Sequence, residues 1–159
     1  MPTITAQPES RIAIADDDVD FDVTAAGATP LGYQWQFAGT NLPGATGTTL
    51  TLTNVAVNQS GDYLVVVTNS VGSVTSSVAV LTVYSTAAAT LSAPIYSSGQ
   101  FGFNVSGVPD FTYAVEASTN LVDWTSLETN AAPFTTIDTN AALPLRFYRV
   151  LYLPGADAD

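Results

Sequence analysis

The chain has no cysteine, no histidine and no lysine, its three cations being Arg11, Arg146 and Arg149. Without cysteine there are no disulfides and no thiolate metal sites, so the fold survives in either redox compartment. Without cysteine, histidine and lysine the usual nucleophile and base pairs are unavailable, which leaves only paired carboxylates for catalysis and reads as a non-catalytic protein. The shortage of cations, three against fourteen acids for a net charge of -11, excludes nucleic acid as a partner and disfavours an anionic membrane surface. No stretch approaches the ~20 apolar residues of a membrane span, so no membrane insertion is expected. An amphipathic helical period is missing throughout.

What is present suits strands. Thr, Val, Ala and Ser dominate, and short alternating segments recur at the spacing an all-β sandwich needs. The 159 residues are comfortable for two domains of about 80 each. In the first half, strands are expected near 3–6, 11–15, 19–24, 32–37, 48–53, 62–69 and 73–84. Alternation turns Val19, Phe21 and Val23, then Tyr33, Trp35 and Phe37, then Tyr63, Val65 and Val67 to one side, with Leu81 and Val83. A Ser-Thr-Ala-Ala-Ala-Thr stretch over 85–90 marks a junction with little flexibility.

Two stretches carry more information than the rest: Tyr33-Gln34-Trp35, and further on Gln59-Ser60-Gly61-Asp62-Tyr63-Leu64-Val65. With Val23 upstream they resemble the skeleton of an immunoglobulin-like domain of the I-set-like kind. There a strand-C Trp packs on a disulfide and a Tyr stands two residues before its second Cys. Trp35 and Tyr63 take the aromatic places, and Val23 and Val65 stand where the cysteines would be. The resemblance implies a sandwich over 1–84 whose disulfide has become a Val/Val contact, with Val23, Trp35, Tyr63 and Val65 as structural core.

In the second half, Phe101 to Val105 and Phe111 to Ala117 alternate. The segment from Tyr113 through Trp124 to Leu127 and the closing Arg146-Phe147-Tyr148-Arg149 resemble a small sandwich found at the ends of large secreted surface proteins of the Verrucomicrobia type. A fibronectin type III-like architecture is the approximation adopted for 85–154, with 155–159 a flexible tail. The expected fold is all-β, two tandem β-sandwiches. Met1-Pro2-Thr3-Ile4 leads straight into a strand without a basic or apolar leader, and the resemblance implies an extracellular or cell-surface protein whose export signal lies outside this segment.

Three candidate sites follow. Asp16, Asp17, Asp18, Asp20 and Asp22 supply dense hard oxygens of the kind Ca²⁺ takes, although the run lacks the Gly and distal Glu of an EF-hand loop. The competing reading is a solvated acidic face that blunts edge pairing. No other cofactor is expected. If Tyr63, Val65 and Val67 face inward, Leu64 and Val66 face outward, as do Val78 and Val80 on the next strand. With Gln34 and Gln36 they make an exposed patch on strands C, F and G of the kind that marks an interaction surface. Tyr113, Trp124 and Tyr148 are a candidate sugar-stacking platform, against the commoner role of such rings in a core. Arg146 and Arg149 most simply pair with local acids such as Glu116 or Asp138.

The reading is a structural or adhesive module that contacts protein, itself or another surface protein, through strands C, F and G. A fibre built by adding a free strand at 3–6 to a neighbour's sheet edge is a variant. The runner-up is an accessory carbohydrate-binding module that takes polysaccharide on the second-half aromatics.

Overall fold

The computed structural model describes residues 1–140 and 145–154. The tail expected at 155–159 lies outside the described residues. The chain divides into two compact units, Met1–Thr86 and the remainder from Ala87, and among the described residues every regular element but one 3-10 turn is a strand.

The first unit holds β1 (Thr3–Ala6), β2 (Arg11–Ile14), β3 (Val19–Asp22), β4 (Thr24–Ala26), β5 (Gly32–Phe37), β6 (Thr40–Asn41), β7 (Thr49–Leu52), β8 (Gly61–Asn69), β9 (Gly72–Thr75) and β10 (Ala79–Tyr84). One layer is made by the β1–β4 and β3–β7 ladders, the other by the order β2-β10-β8-β5-β6 with β9 on β8. Val23, between β3 and β4, keeps the layer continuous by donating its N–H to the Thr48 carbonyl at 2.9 Å.

Between the layers Phe21, Trp35, Tyr63, Val65, Val67 and Leu81 are fully buried, and Val23 is buried in the same cluster. Trp35 donates its indole N–H to the Gly47 carbonyl at 3.0 Å. The Tyr63 hydroxyl donates to the Gln59 carbonyl at 2.9 Å, so each large aromatic satisfies its polar end while its ring is dry. Phe21 stacks on Tyr63 with centroids 5.0 Å apart, and Phe37 lies 4.8 Å from the same ring. Gly61, at φ +149, leaves the room this cluster needs, because a Cβ there would stand 2.9 Å from Phe37.

Two expectations need correction. The strand read as continuous over 73–84 is broken at 76–78. Ser76 is pulled inward, its hydroxyl accepting from the Val65 N–H at 3.0 Å and donating to the Ser77 carbonyl at 2.8 Å. The break sends β10 on to pair in parallel with β2, Leu81 opposite Arg11. The N-terminal strand is also not free: β1 pairs with β4, Ile4 opposite Ala25, and Ile4 packs against the core. That pairing occupies within the unit the strand that the fibre variant takes as free.

The second unit holds β11 (Thr90–Ser97), β12 (Gln100–Ser106), β13 (Thr112–Ser118), β14 (Thr125–Ala131), β15 (Phe134–Asp138) and β16 (Phe147–Tyr152). They form two antiparallel three-stranded sheets, β11-β12-β15 and β14-β13-β16. Ser98 and Gly99, both left-handed at φ 53 and 80, make the two-residue hairpin between β11 and β12 whose twist suits the flanking strands. Phe103, Val105 and Val115 form one buried cluster, with Phe101, Tyr148 and Val150 packed on it, and Val108, Phe111, Tyr113 and Ala117 are buried as well.

Candidate interaction surface

Strand alternation builds the candidate surface on the solvent side of the larger sheet of the first unit. Trp35, Val65 and Leu81 are buried, so the residues between them point away from the core. Gln36 lies opposite Leu64 and Gln34 opposite Val66 across the β5–β8 ladder, and Val80 is opposite Asp62 across β8–β10. Val80 is 41% exposed and Val78, in the break before β10, 49%. Leu64, Val66, Gln34 and Gln36 are half-buried.

The glutamine amide nitrogens already donate within the unit. Gln34 donates through Nε2 to the Trp35 and Leu42 carbonyls at 2.9 and 2.8 Å, and Gln36 donates to Asn41 Oδ1 at 2.7 Å. Both side chains are held toward the β6 end of the sheet, which leaves the aliphatic groups as the part of this face without a polar role. Ile12 on β2, exposed and in register with Thr82, extends the patch. The sequence reading missed it, because joining β2 to β10 takes a parallel, non-local pairing; the alternation of Ile12 with buried Ala13 was the available signal. Of the outward positions on β5, β8 and β10, Asp62 alone carries a charge, in a chain of fourteen acids.

The acidic run is arranged differently from a cation site. Asp17 accepts through Oδ2 from the Ile14 N–H at 2.9 Å, Asp18 through Oδ1 from the Asn54 N–H at 2.9 Å, and Asp22 through Oδ1 from the Thr49 hydroxyl at 2.5 Å. Asp16 sits in a left-handed turn at φ 77, and Asp20 offers its backbone carbonyl to Arg11 Nε at 3.4 Å. Each carboxylate named here caps a different element, so they diverge, and among the described residues no three acids converge on one point. Of the candidate Ca²⁺ residues Asp16, Asp17, Asp18, Asp20 and Asp22, the carboxylates of Asp17, Asp18 and Asp22 serve as turn and strand caps.

The three aromatics of the second unit are likewise not brought together. Tyr113 is fully buried, its hydroxyl accepting from the Val108 N–H at 3.0 Å. Tyr148 packs inward on Phe101 and Phe103 at 5.0 and 5.4 Å. Trp124 stands on the other side of the same sheet, where the Arg149 guanidinium lies 4.2 Å above its ring and is held by Glu116 Oε2 at 2.6 Å. Tyr148 and Arg149 are neighbours in one strand and must point to opposite faces, which is why the platform does not form.

Inside this unit Asp138 is buried. It pairs with Arg146, accepts the Tyr148 hydroxyl at 3.0 Å and accepts the Asn140 N–H at 2.8 Å. Burial, then the hydrogen bond and charge of Asp138, push the Tyr148 phenol from its ordinary 10.0 up to about 12, with Arg146 pulling the other way. Burial also raises that of Tyr63.

Residues 1–69 match the family model described as Immunoglobulin domain. Among solved structures, the chain is similar to tandem Ig repeats of Dlar, at 23% identity and a TM-score of 0.50, over 54% of this chain and 49% of that one. The match thus spans about half the length of that protein. The chain is also similar to an Ig domain from the complex of titin M10 with obscurin-like 1, at 21% identity and a TM-score of 0.50, over 55% of this chain and 97% of that one. At these identities the likeness is one of fold. No curated protein matches the chain. The chain is all-β, and its first unit is an immunoglobulin-like sandwich.

Proposed function

We propose that this chain is a non-catalytic structural module of an extracellular or cell-surface protein, and that it joins protein to protein through the outer face of β5, β8 and β10, with a second copy as the partner. One observation carries the reading. Val78 and Val80 are exposed beside Leu64 and Val66 on a face whose strand positions carry the single charge of Asp62, while the molecule as a whole carries -11. Interface cores are depleted of charge and enriched in apolar side chains. Copies with this net charge repel each other wherever carboxylates line up, so contact is favoured where they are absent. The immunoglobulin-like fold of the first unit supports an interaction or structural role, and the lack of histidine, cysteine and lysine speaks against chemistry. The two antiparallel three-stranded sheets support the fibronectin-like reading of the second unit. Its resemblance to the terminal sandwiches of secreted proteins supports the location.

Light scattering after size exclusion, over a rising series of concentrations, tests the proposal. The unaltered chain should gain mass with concentration, and Val66→Asp with Val80→Asp should reduce that gain. Val80→Asp alone, at a more exposed position, guards against a folding defect. Mass curves that coincide for all three proteins would overturn the reading.

A further inference from the structure

The second unit carries a different apolar face. On the solvent side of β11, β12 and β15, Ile95, Gly102 and Ile137 stand in one row across the three strands. Ile95 is 65% exposed and Ile137 58%. Because Gly102 has no side chain, the row is a knob, a hole and a knob. The hole is a notch of about 170 Å³, floored by Gly102 and walled by Ile95 and Ile137, with Asn104 and Thr135 at one end. Those two are bonded to each other, Thr135 Oγ1 donating to Asn104 Oδ1 at 2.9 Å. That volume is close to the ~150 Å³ that accommodates a benzene-sized group in an apolar cavity, and so suits one aliphatic side chain.

Charge is absent from this face. Strands β11 and β12 contain no Asp, Glu, Lys or Arg, and the one carboxylate of β15, Asp138, is buried on the inner side. In a chain of net charge -11 this sheet is a surface that two copies can bring together without opposing carboxylates. The edge of the sheet is less suited. Pro94 has no N–H to give, Ala93 is left-handed at φ 49, and the β11–β12 register shifts between Ser92 and Ile95. Such features blunt strand addition. The partner therefore meets the face rather than the β11 edge.

We infer that this face is a second self-association surface, on which two copies pack about a twofold axis with Ile95 or Ile137 of each entering the Gly102 notch of the other. A twofold contact requires one patch to be complementary to itself, and a knob beside a hole of matching size meets that requirement. Three strands of five to eight residues, about 4.8 Å apart and rising about 3.3 Å per residue, make a small face, at the low end of interface sizes. Association is accordingly weak and concentration-dependent. Since the first unit carries its own face, a chain with both in use has two contacts and grows beyond a dimer.

The test compares four full-length proteins by light scattering over the same concentration series: the unaltered chain, Val66→Asp with Val80→Asp, Ile95→Asp with Ile137→Asp, and all four substitutions together. The unaltered chain should exceed dimer mass, each pair of substitutions should stop growth at the dimer, and the combination should remain monomeric. Gly102→Ala in the Val66→Asp, Val80→Asp background gives an independent check. Its Cβ would sit 3.4 Å from the Thr136 carbonyl and 3.7 Å from Ile137, an ordinary contact that leaves the fold intact while filling the hole. It should weaken the remaining dimer about tenfold or more, equivalent to 1.4 kcal/mol. Added salt should strengthen the dimer by screening the net charge. If Ile95→Asp with Ile137→Asp, or Gly102→Ala, leaves the mass curve of its parent unchanged, the inference is overturned. If Val66→Asp with Val80→Asp changes nothing while Ile95→Asp with Ile137→Asp reduces a dimer to a monomer, the first-unit reading falls and this one stands.

Discussion

The two units solve one problem, a sandwich without a disulfide, in opposite ways. The first relies on apolar volume: Trp35, Tyr63, Phe21 and the Val23 and Val65 side chains fill the space between its sheets, and Ser76 is its one buried polar residue among those described. Among the described residues the second buries fewer apolar side chains, Phe103, Tyr113 and Val115 among them, and places a charge inside, Asp138 held by Arg146, Tyr148 and the Asn140 amide. An apolar core contributes stability in proportion to what it buries. A buried ion pair contributes little net stability, because desolvation offsets the attraction, yet it fixes which groups must meet. The contrast teaches that loss of a cross-link is compensated by packing where there is enough volume. A smaller unit adds a polar network that makes its arrangement specific.

The largest expected effects set these mechanisms against each other. Trp35→Ala should cost the first unit about 3–5 kcal/mol through lost burial and a cavity. Arg146→Met should cost the second a similar 3–5 kcal/mol, by leaving Asp138 charged and unpaired. The comparison breaks if a second substitution behaves alike in both. Adding Asp138→Leu to Arg146→Met should return most of the loss, whereas no single further change should refill the Trp35 cavity. Hydrogen exchange, read separately for each unit, measures both. Next in size, Val23→Cys with Val65→Cys should gain about 2–4 kcal/mol on oxidation. No gain in denaturant midpoint on oxidation would mean that the valines have closed the gap beyond disulfide geometry.

The pH dependence separates the units further. Tyr148 has a phenol raised from 10.0 to about 12, so the fold favours its neutral form. That contribution is complete below pH 10 and lost as pH rises through about 12. Burial raises Tyr63 in the same direction, so both units weaken in alkali. Tyr148→Phe should remove the loss in the second unit over this range and leave the first unit's loss in place, as followed by denaturation at stepped pH. The smallest effect belongs to Arg149→Ala. Its pairing with Glu116 and its contact over Trp124 lie at a side chain 42% exposed, and exposed pairs contribute at most about 1 kcal/mol. A larger drop in melting temperature than that implies would show that the outer face of β13 and β16 is structural.

Much of the fold was legible because its signals are local. Alternation assigns Val65 and Leu64, or Leu81 and Val80, to opposite faces of a strand wherever that strand ends up. Trp35 and Tyr63 point to a sandwich through their resemblance to the aromatic skeleton of immunoglobulin-like domains. The break at 76–78 was not legible, since Ser76 turns inward only when the β8 backbone is there to receive it. The surroundings of the candidate Ca²⁺ and sugar residues were not legible for a related reason. A run of acids or a set of aromatics shows which groups exist, while the caps at Ile14, Asn54 and Thr49 and the stacking of Arg149 on Trp124 depend on residues distant in the chain or across the sheet.

The sequence by itself determined that the protein is all-β, short of catalytic side chains and strongly acidic, because composition and period-two patterning act residue by residue. Tertiary structure decided which surfaces are free of that acidity. The carboxylates of Asp17, Asp18 and Asp22 were drawn to backbone N–H groups and a hydroxyl, Asp138 was taken inside, and Ile95, Gly102 and Ile137 were brought into one row by strand register. Register is a long-range property, set by which strands pair, and no window of sequence contains it.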